Sequence, residues 1–201
     1  LFAIAAALGW ASGLRLYAVV FLTGLAGHLG WVPLPSGLAV LEQPAMLWAS
    51  GSLLVVEFLA DKLPWVDSLW DTVHTLIRIP AGAALAYGVF GADQTTWAAV
   101  AALMGGSLAA AAHTAKATTR AAANTSPEPF SNLGLSLAGD ALVPGMLWLS
   151  WEHPVAFFFV LAGVVVLMGI TTLLLWRFLR GLGRQLRARL VPTVQASSKG
   201  P

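Results

Sequence analysis

Cysteine is missing from all 201 residues, which excludes disulfides, thiolate metal sites and cysteine nucleophiles and leaves the redox compartment open. Charge is almost as scarce: 10% of the residues are Asp, Glu, Lys or Arg, 58% are hydrophobic, and the mean hydropathy is +0.77. An average soluble domain is roughly one quarter charged, so the chain reads as a polytopic membrane protein. Spans of about 20 residues with short connections allow about six crossings and leave no room for a separate soluble domain. Also missing are an HExxH, a GxSxG, a Walker loop and a paired-Cys site. GLSLAG at 134–139 resembles a nucleophile elbow only superficially and falls inside a span. The expectation is therefore a protein that is not an enzyme and holds no cofactor and no metal.

Six apolar segments carry the fold class, an all-α membrane bundle. The first occupies residues 1–30; LFAIAAALGWASG has no basic n-region, so it is read as a span rather than a signal peptide. It holds Arg15 near its middle, which implies strong tilt or a break at Ser12-Gly13. The others are expected from Pro44 to about Lys62, from Pro80 to 91–93, from Thr96 to Thr118, from Leu133 to Ser150 and from Pro154 to Trp176. Residues 1–178 form the transmembrane domain, and 179–201 a basic cytoplasmic tail. Gly51-Ser52-Leu53 and Gly106-Ser107-Leu108 suggest a duplicated hairpin, 44–92 and 96–150.

Orientation follows from the basic residues, since Lys and Arg stay on the cytoplasmic side. Six crossings put Lys62, Arg78, Lys116, Arg120 and the arginines from Arg177 onward on one face, and Glu42, Asp93 and Glu152 on the other. The expected location is a bacterial cytoplasmic (inner) membrane with both termini inside. Expected partners are membrane lipids, with anionic headgroups at the Arg-rich tail, and no nucleic acid; a homo-oligomer is left open.

Three stretches carry a family resemblance: SGLRLY, then EFLADKLPWVDSLWDTVHTLIRIPAGA, then GGSLAAAAHTAKATTR. They resemble the bacterial integral-membrane family catalogued as domain of unknown function 4126, with PWVDSLWDT the most specific block. The resemblance implies a multi-pass membrane protein and no particular activity. NTSPEPFSN at 124–132 departs from the Gly-Gly-containing turn of that family.

The scarce charges concentrate in two stripes. Asp67, Asp71, His74 and Arg78 are spaced 4, 3 and 4 apart, one face of a helix expected to lie at the cytoplasmic interface over about residues 65 to 78. His113, Lys116, Arg120 and Asn124 form a second, basic stripe able to pair with the first. Individually, Lys62, Arg78, Lys116 and Arg120 are expected to snorkel or pair locally at helix ends. Glu57 and Asp61 share a face of the second span, and Glu57 lies about 7 to 8 Å inside the end marked by Lys62 at ~1.5 Å per residue. Exposed to lipid, that carboxylate would cost on the order of 3 kcal/mol, so it must face protein or water. Arg15 is the second such residue, with Glu57 or Asp140 as its structural counter-ion.

These features point first to a small transporter or channel-like protein for an ion, a proton-coupled solute or a small polar substrate, with Arg15, Glu57, Asp61, His113 and Lys116 along its pathway. Alternatives are an anionic-lipid or prenyl-phosphate handling protein, with a headgroup site formed by Arg78, Lys116, Arg120, Asn124, Ser126, Ser131 and Asn132, and a non-transporting scaffold or assembly factor. Asp71 with His74, or Glu57 with Asp61, offers oxygen and imidazole to a divalent cation, yet the neighbouring cations oppose a tight cage.

Overall fold

A computed structural model describes residues 1–63, 66–125 and 129–190, apart from the side chains of 67–68, 129–132 and 185–190. The described residues form six α-helices and two short 3-10 helices, with no strand among them. They are α1 (Phe2–His28), a 3-10 turn (Ser36–Glu42), α2 (Pro44–Ala60), α3 (Val66–Phe90), a second 3-10 turn (Ala92–Gln94), α4 (Thr95–Ala123), α5 (Pro129–Glu152) and α6 (Pro154–Leu190). Five of the helices are long and apolar enough to cross a membrane, or six if the first 3-10 turn and α2, bent by 69°, count as one span. The chain is a multi-pass membrane protein. At 17 residues, α2 alone reaches only about 25 Å, short of the ~30 Å hydrocarbon core.

The bundle is organised around α1, whose apolar window is 78% buried, whereas that of α6 is 6% buried. Small residues explain how α1 comes to lie at the centre. A Cβ on Gly9 would collide with the backbone of Gly105, and one on Gly13 with the carbonyl of Ala109, so α1 and α4 touch backbone to backbone. A Cβ on Gly82 of α3 would run into Ser12 and Ala109, closing the third side. Without a hydrophobic drive between helices in lipid, such close contact is what associates them. Between α3 and α4 the chain reverses at Gly91, whose φ of +66° suits glycine. Outside this triad the exposed apolar surface of α6, including Phe159, Val166 and Leu173, has the pattern of a lipid-facing helix.

Two sequence expectations change here. The segment 65–78 is not a separate interfacial helix: from Val66 it is the first half of α3, which runs straight through Pro80. Its polar stripe faces the bundle because Asp71, His74 and Arg78 find partners there, and a proline inside a membrane helix is tolerated where neighbours enclose the backbone. Likewise the final helix does not stop near Trp176; it continues past Arg177, Arg180 and Arg184 to Leu190. The basic residues thus extend the last span as helix, and 191–201 lie outside the described residues.

Candidate functional site: a buried charge network at a broken helix

The network begins where α2 ends. Glu57, in its last turn, is fully buried, and its Oε1 accepts a hydrogen bond from Arg78 Nη2 at 2.7 Å. Arg78 is also fully buried and donates from Nη1 to Asp71 Oδ1 at 2.6 Å, so one planar guanidinium bridges two carboxylates on different helices. One residue past α2 comes Asp61, again fully buried. A carboxylate at a helix C-terminus meets the negative end of the dipole. Three cations offset this: Arg15 Nη1 and Lys116 Nζ each lie 3.2 Å from Asp61 Oδ2, and Arg120 Nη2 lies 3.6 Å away while its Nη1 donates to the Asp61 carbonyl. Lys116 joins the two halves by reaching Asp71 Oδ1 at 3.0 Å.

The break in α1 supplies the rest. Arg15 has φ −146° and ψ 83°, an extended conformation inside an otherwise helical segment. Interrupted backbone at membrane depth persists only where protein or water takes up the freed groups, and Lys116 Nζ donates to the Leu14 carbonyl at 3.2 Å. Arg15 itself spans to α5, with Nε paired to Asp140 Oδ1 at 2.9 Å and Nη2 donating to Ser136 Oγ at 2.8 Å and the Ser136 carbonyl at 3.1 Å. Four carboxylates and four cations therefore meet in the interior, and Lys62 stands at the rim, 3.8 Å from Asp140 and over the Phe58 ring.

Two histidines edge the network through hydrogen bonds at their ring nitrogens. His74 Nδ1 lies 2.8 Å from the Trp70 carbonyl, which can only accept, so Nδ1 carries the hydrogen and Nε2 of the neutral ring accepts from Tyr17 Oη at 3.0 Å. Thr75 Oγ1 spends its hydrogen on the Asp71 carbonyl, so His113 Nε2 donates to Thr75 at 2.7 Å. In the neutral ring Nδ1 of His113 is then the acceptor, and it lies 3.5 Å from Arg78 Nη1. Stacking of the His74 ring on Trp70, with centroids 4.1 Å apart, holds it in place.

All five pathway candidates, Arg15, Glu57, Asp61, His113 and Lys116, belong to this one constellation, with Asp71, His74 and Arg78 from the acidic stripe. Snorkelling does not describe Arg78 or Arg120, which are 0% and 3% exposed, nor Lys116, because each finds carboxylates inward. The break falls at Arg15, not at Ser12-Gly13, where the backbone stays helical and packs directly on α4 and α3. Of the candidate headgroup residues, Arg78 is committed to Glu57 and Asp71, and Arg120 to Asp61. Asn124 ends α4, its N–H bonded to the Arg120 carbonyl. Ser126 and the side chains of Asp67, Ser131 and Asn132 lie outside the described residues. No group of three His, Asp or Glu side chains suited to a metal occurs among the described residues.

Tyr17, Thr75 and Ser136 were not among the sequence candidates, since they carry no charge and, unlike Ser126 and Ser131, lie outside the 124–132 turn. A spacing signal was present: Ser136 stands one helical turn before Asp140, and Thr75 one turn after Asp71. Beside the network, a cavity of about 270 Å³ is lined by Arg15, Asp61, Lys116 and Arg120 at one end and by α5 and α6 residues such as Leu142 and Met168 elsewhere.

The model of the family described as a domain of unknown function, DUF4126, matches residues 2–174. The chain belongs to that family. The DUF4126 match contains every residue of the network from Arg15 to Asp140 and ends before Arg177, the first arginine of the basic end of α6. No curated protein and no solved structure matches the chain.

Proposed function

We propose that this protein is a small membrane transporter in which the buried network exchanges a proton or ion while a charged substrate moves. Glu57 is the exchanging carboxylate, Asp61 and Arg15 form the switchable pair at the broken helix, and His113 and Lys116 couple the two halves through Thr75 and Asp71. The observation that carries the reading is Glu57: fully buried, it uses Oε1 on Arg78 while Oε2 has no hydrogen-bond partner among the described residues. An orphaned carboxylate oxygen in a low-dielectric interior is where a proton or cation gains most.

Energetics support a working role. Burying each ion costs several kcal/mol, and packed apolar side chains often stabilise as well or better, so a network of eight charges is a poor device for stability alone. The interruption of α1 at Arg15 supports it too, since discontinuous helices at membrane depth are where transporters contact ions and substrates. The proposal includes residence in a bacterial cytoplasmic membrane with both termini inside. That topology rests on Lys62 and on Arg177, Arg180 and Arg184, and on the bent pair counting as one crossing.

Proteoliposomes holding an entrapped pH-sensitive dye test the reading, with charge movement balanced by potassium and an ionophore. Wild-type protein should dissipate an imposed pH gradient, and Glu57→Gln, which keeps shape and a hydrogen-bond acceptor for Arg78, should do so about tenfold more slowly. Equal rates in wild-type, Glu57→Gln and protein-free vesicles would refute it.

A further inference from the structure

The cavity beside Asp61 has a composition unlike that of a site for a small hydrophilic ion. Its lining holds three cations, Arg15, Lys116 and Arg120, and one carboxylate, Asp61, while Asp140 and Asp71, the other partners of Arg15 and Lys116, stand outside the lining. Arg15 is 2% exposed, and its Nη1, although 3.2 Å from Asp61 Oδ2, has no aligned hydrogen bond. Arg15 is among the residues that line the cavity, and this Nη1 lies just behind its wall with hydrogen-bonding capacity unused. The remaining walls are mostly apolar, from Leu14 and Ala115 and from the α5 and α6 residues, with the hydroxyls of Thr119 and Thr171 among them. Leu135, Leu142 and Leu167 in the lining are 36%, 38% and 64% exposed, so the apolar wall runs out continuously onto the lipid-facing surface. The volume of about 270 Å³ is at or below the ~300–1,000 Å³ usual for whole drug-sized ligands, enough for a headgroup and the first carbons of a chain.

We infer that this cavity binds an anionic amphiphile drawn from the bilayer, a lipid with a phosphate headgroup, its phosphate against Arg15, Lys116 and Arg120 and its chain leaving between α5 and α6 past Leu142 and Leu167. The inference deepens the transport reading and rests on it for the claim that this lipid is the substrate. A lipid phosphate competes with Asp61 for the same three cations, so its arrival loosens the pair between Arg15 and Asp61 at the helix break. The site differs from the headgroup site expected from sequence: Arg78 takes no part, and Arg15 and the α5–α6 wall replace the 124–132 turn.

Gly139 provides a test that removes none of the charged side chains. A Cβ there would meet only Arg15 Nε, at 3.6 Å, so Gly139→Leu enters the cavity without collision at Cβ. The protein is purified in neutral detergent, mixed with equimolar phosphatidylglycerol and phosphatidylcholine, and examined by native mass spectrometry. Wild-type protein should retain the anionic lipid with about tenfold preference, and Gly139→Leu should lose most of that preference. Ala138→Phe, at the same wall, should behave alike and stands in should Gly139→Leu not fold. Equal retention by wild-type protein and both variants would put the lipid on the basic end of α6 and overturn the inference. Displacement of the lipid by millimolar inorganic phosphate would overturn it as well, in favour of a free anion. A protein that binds no anionic lipid yet shows Glu57-dependent flux loses this inference and keeps the transport reading; lipid binding without flux keeps the site and loses transport.

Discussion

Arg78→Met should leave little folded protein in detergent, the largest effect expected of any single substitution in the network. Methionine keeps much of the length and all of the apolar stem but removes the guanidinium that lies 2.7 Å from Glu57 and 2.6 Å from Asp71. Asp71 retains Lys116 at 3.0 Å, whereas no other salt bridge to Glu57 occurs among the described residues. Removing one partner of a buried ion pair costs about 3–5 kcal/mol, because the other charge stays buried without compensation. Whole domains are stable by only about 5–15 kcal/mol, so a large share of the margin would go. The double variant Glu57→Gln with Arg78→Met should recover more than half of the loss. Size-exclusion profiles and thermal unfolding in detergent give the comparison, and an Arg78→Met protein as stable as wild type would show that the pair is not buried as described.

A comparable loss is expected of Gly13→Leu, for a reason of shape. The new Cβ would fall on the carbonyl of Ala109, which belongs to a helix and cannot swing aside like the end of a flexible side chain. To accept it, α1 and α4 must separate, and Lys116 would lose its reach to the Leu14 carbonyl and Asp61. Overpacking usually costs about 1–3 kcal/mol, and backbone collision beside a broken helix puts this case at or above the top of that range. Gly163→Leu on α6 is the matched control, since nothing lies within 4 Å of its added Cβ. Thermal unfolding should separate the two, with Gly163→Leu indistinguishable from wild type.

Much of this architecture was legible because lipid imposes it. Scarce charge, long apolar runs and proline-marked ends are enough to read an all-helical membrane bundle. The spacing of Asp71, His74 and Arg78, and of His113, Lys116 and Arg120, correctly brought two stripes together across α3 and α4, because helical periodicity fixes which residues share a face. The sheltering of Glu57 followed from the cost of exposing a short carboxylate to hydrocarbon. What stayed hidden depended on contacts distant in sequence. Pro80 looked like a boundary, yet it sits within α3 because the charges before it have buried partners. The break in α1 lies at Arg15 because Lys116, 101 positions later, takes the Leu14 carbonyl. The cavity was invisible for the same reason, since it forms among residues of α1, α4, α5 and α6 and no local pattern encodes a gap.

Whether Glu57 exchanges a proton decides the matter most directly. Infrared difference spectra between acidic and alkaline buffer, recorded on protein in liposomes, report a buried carboxyl as it gains its hydrogen. The expected result is a protonated-carboxyl band that Glu57→Gln removes while the helical amide signal stays unchanged. A difference spectrum identical in wild type and Glu57→Gln would contradict a working role for this carboxylate and reduce the network to a structural clasp.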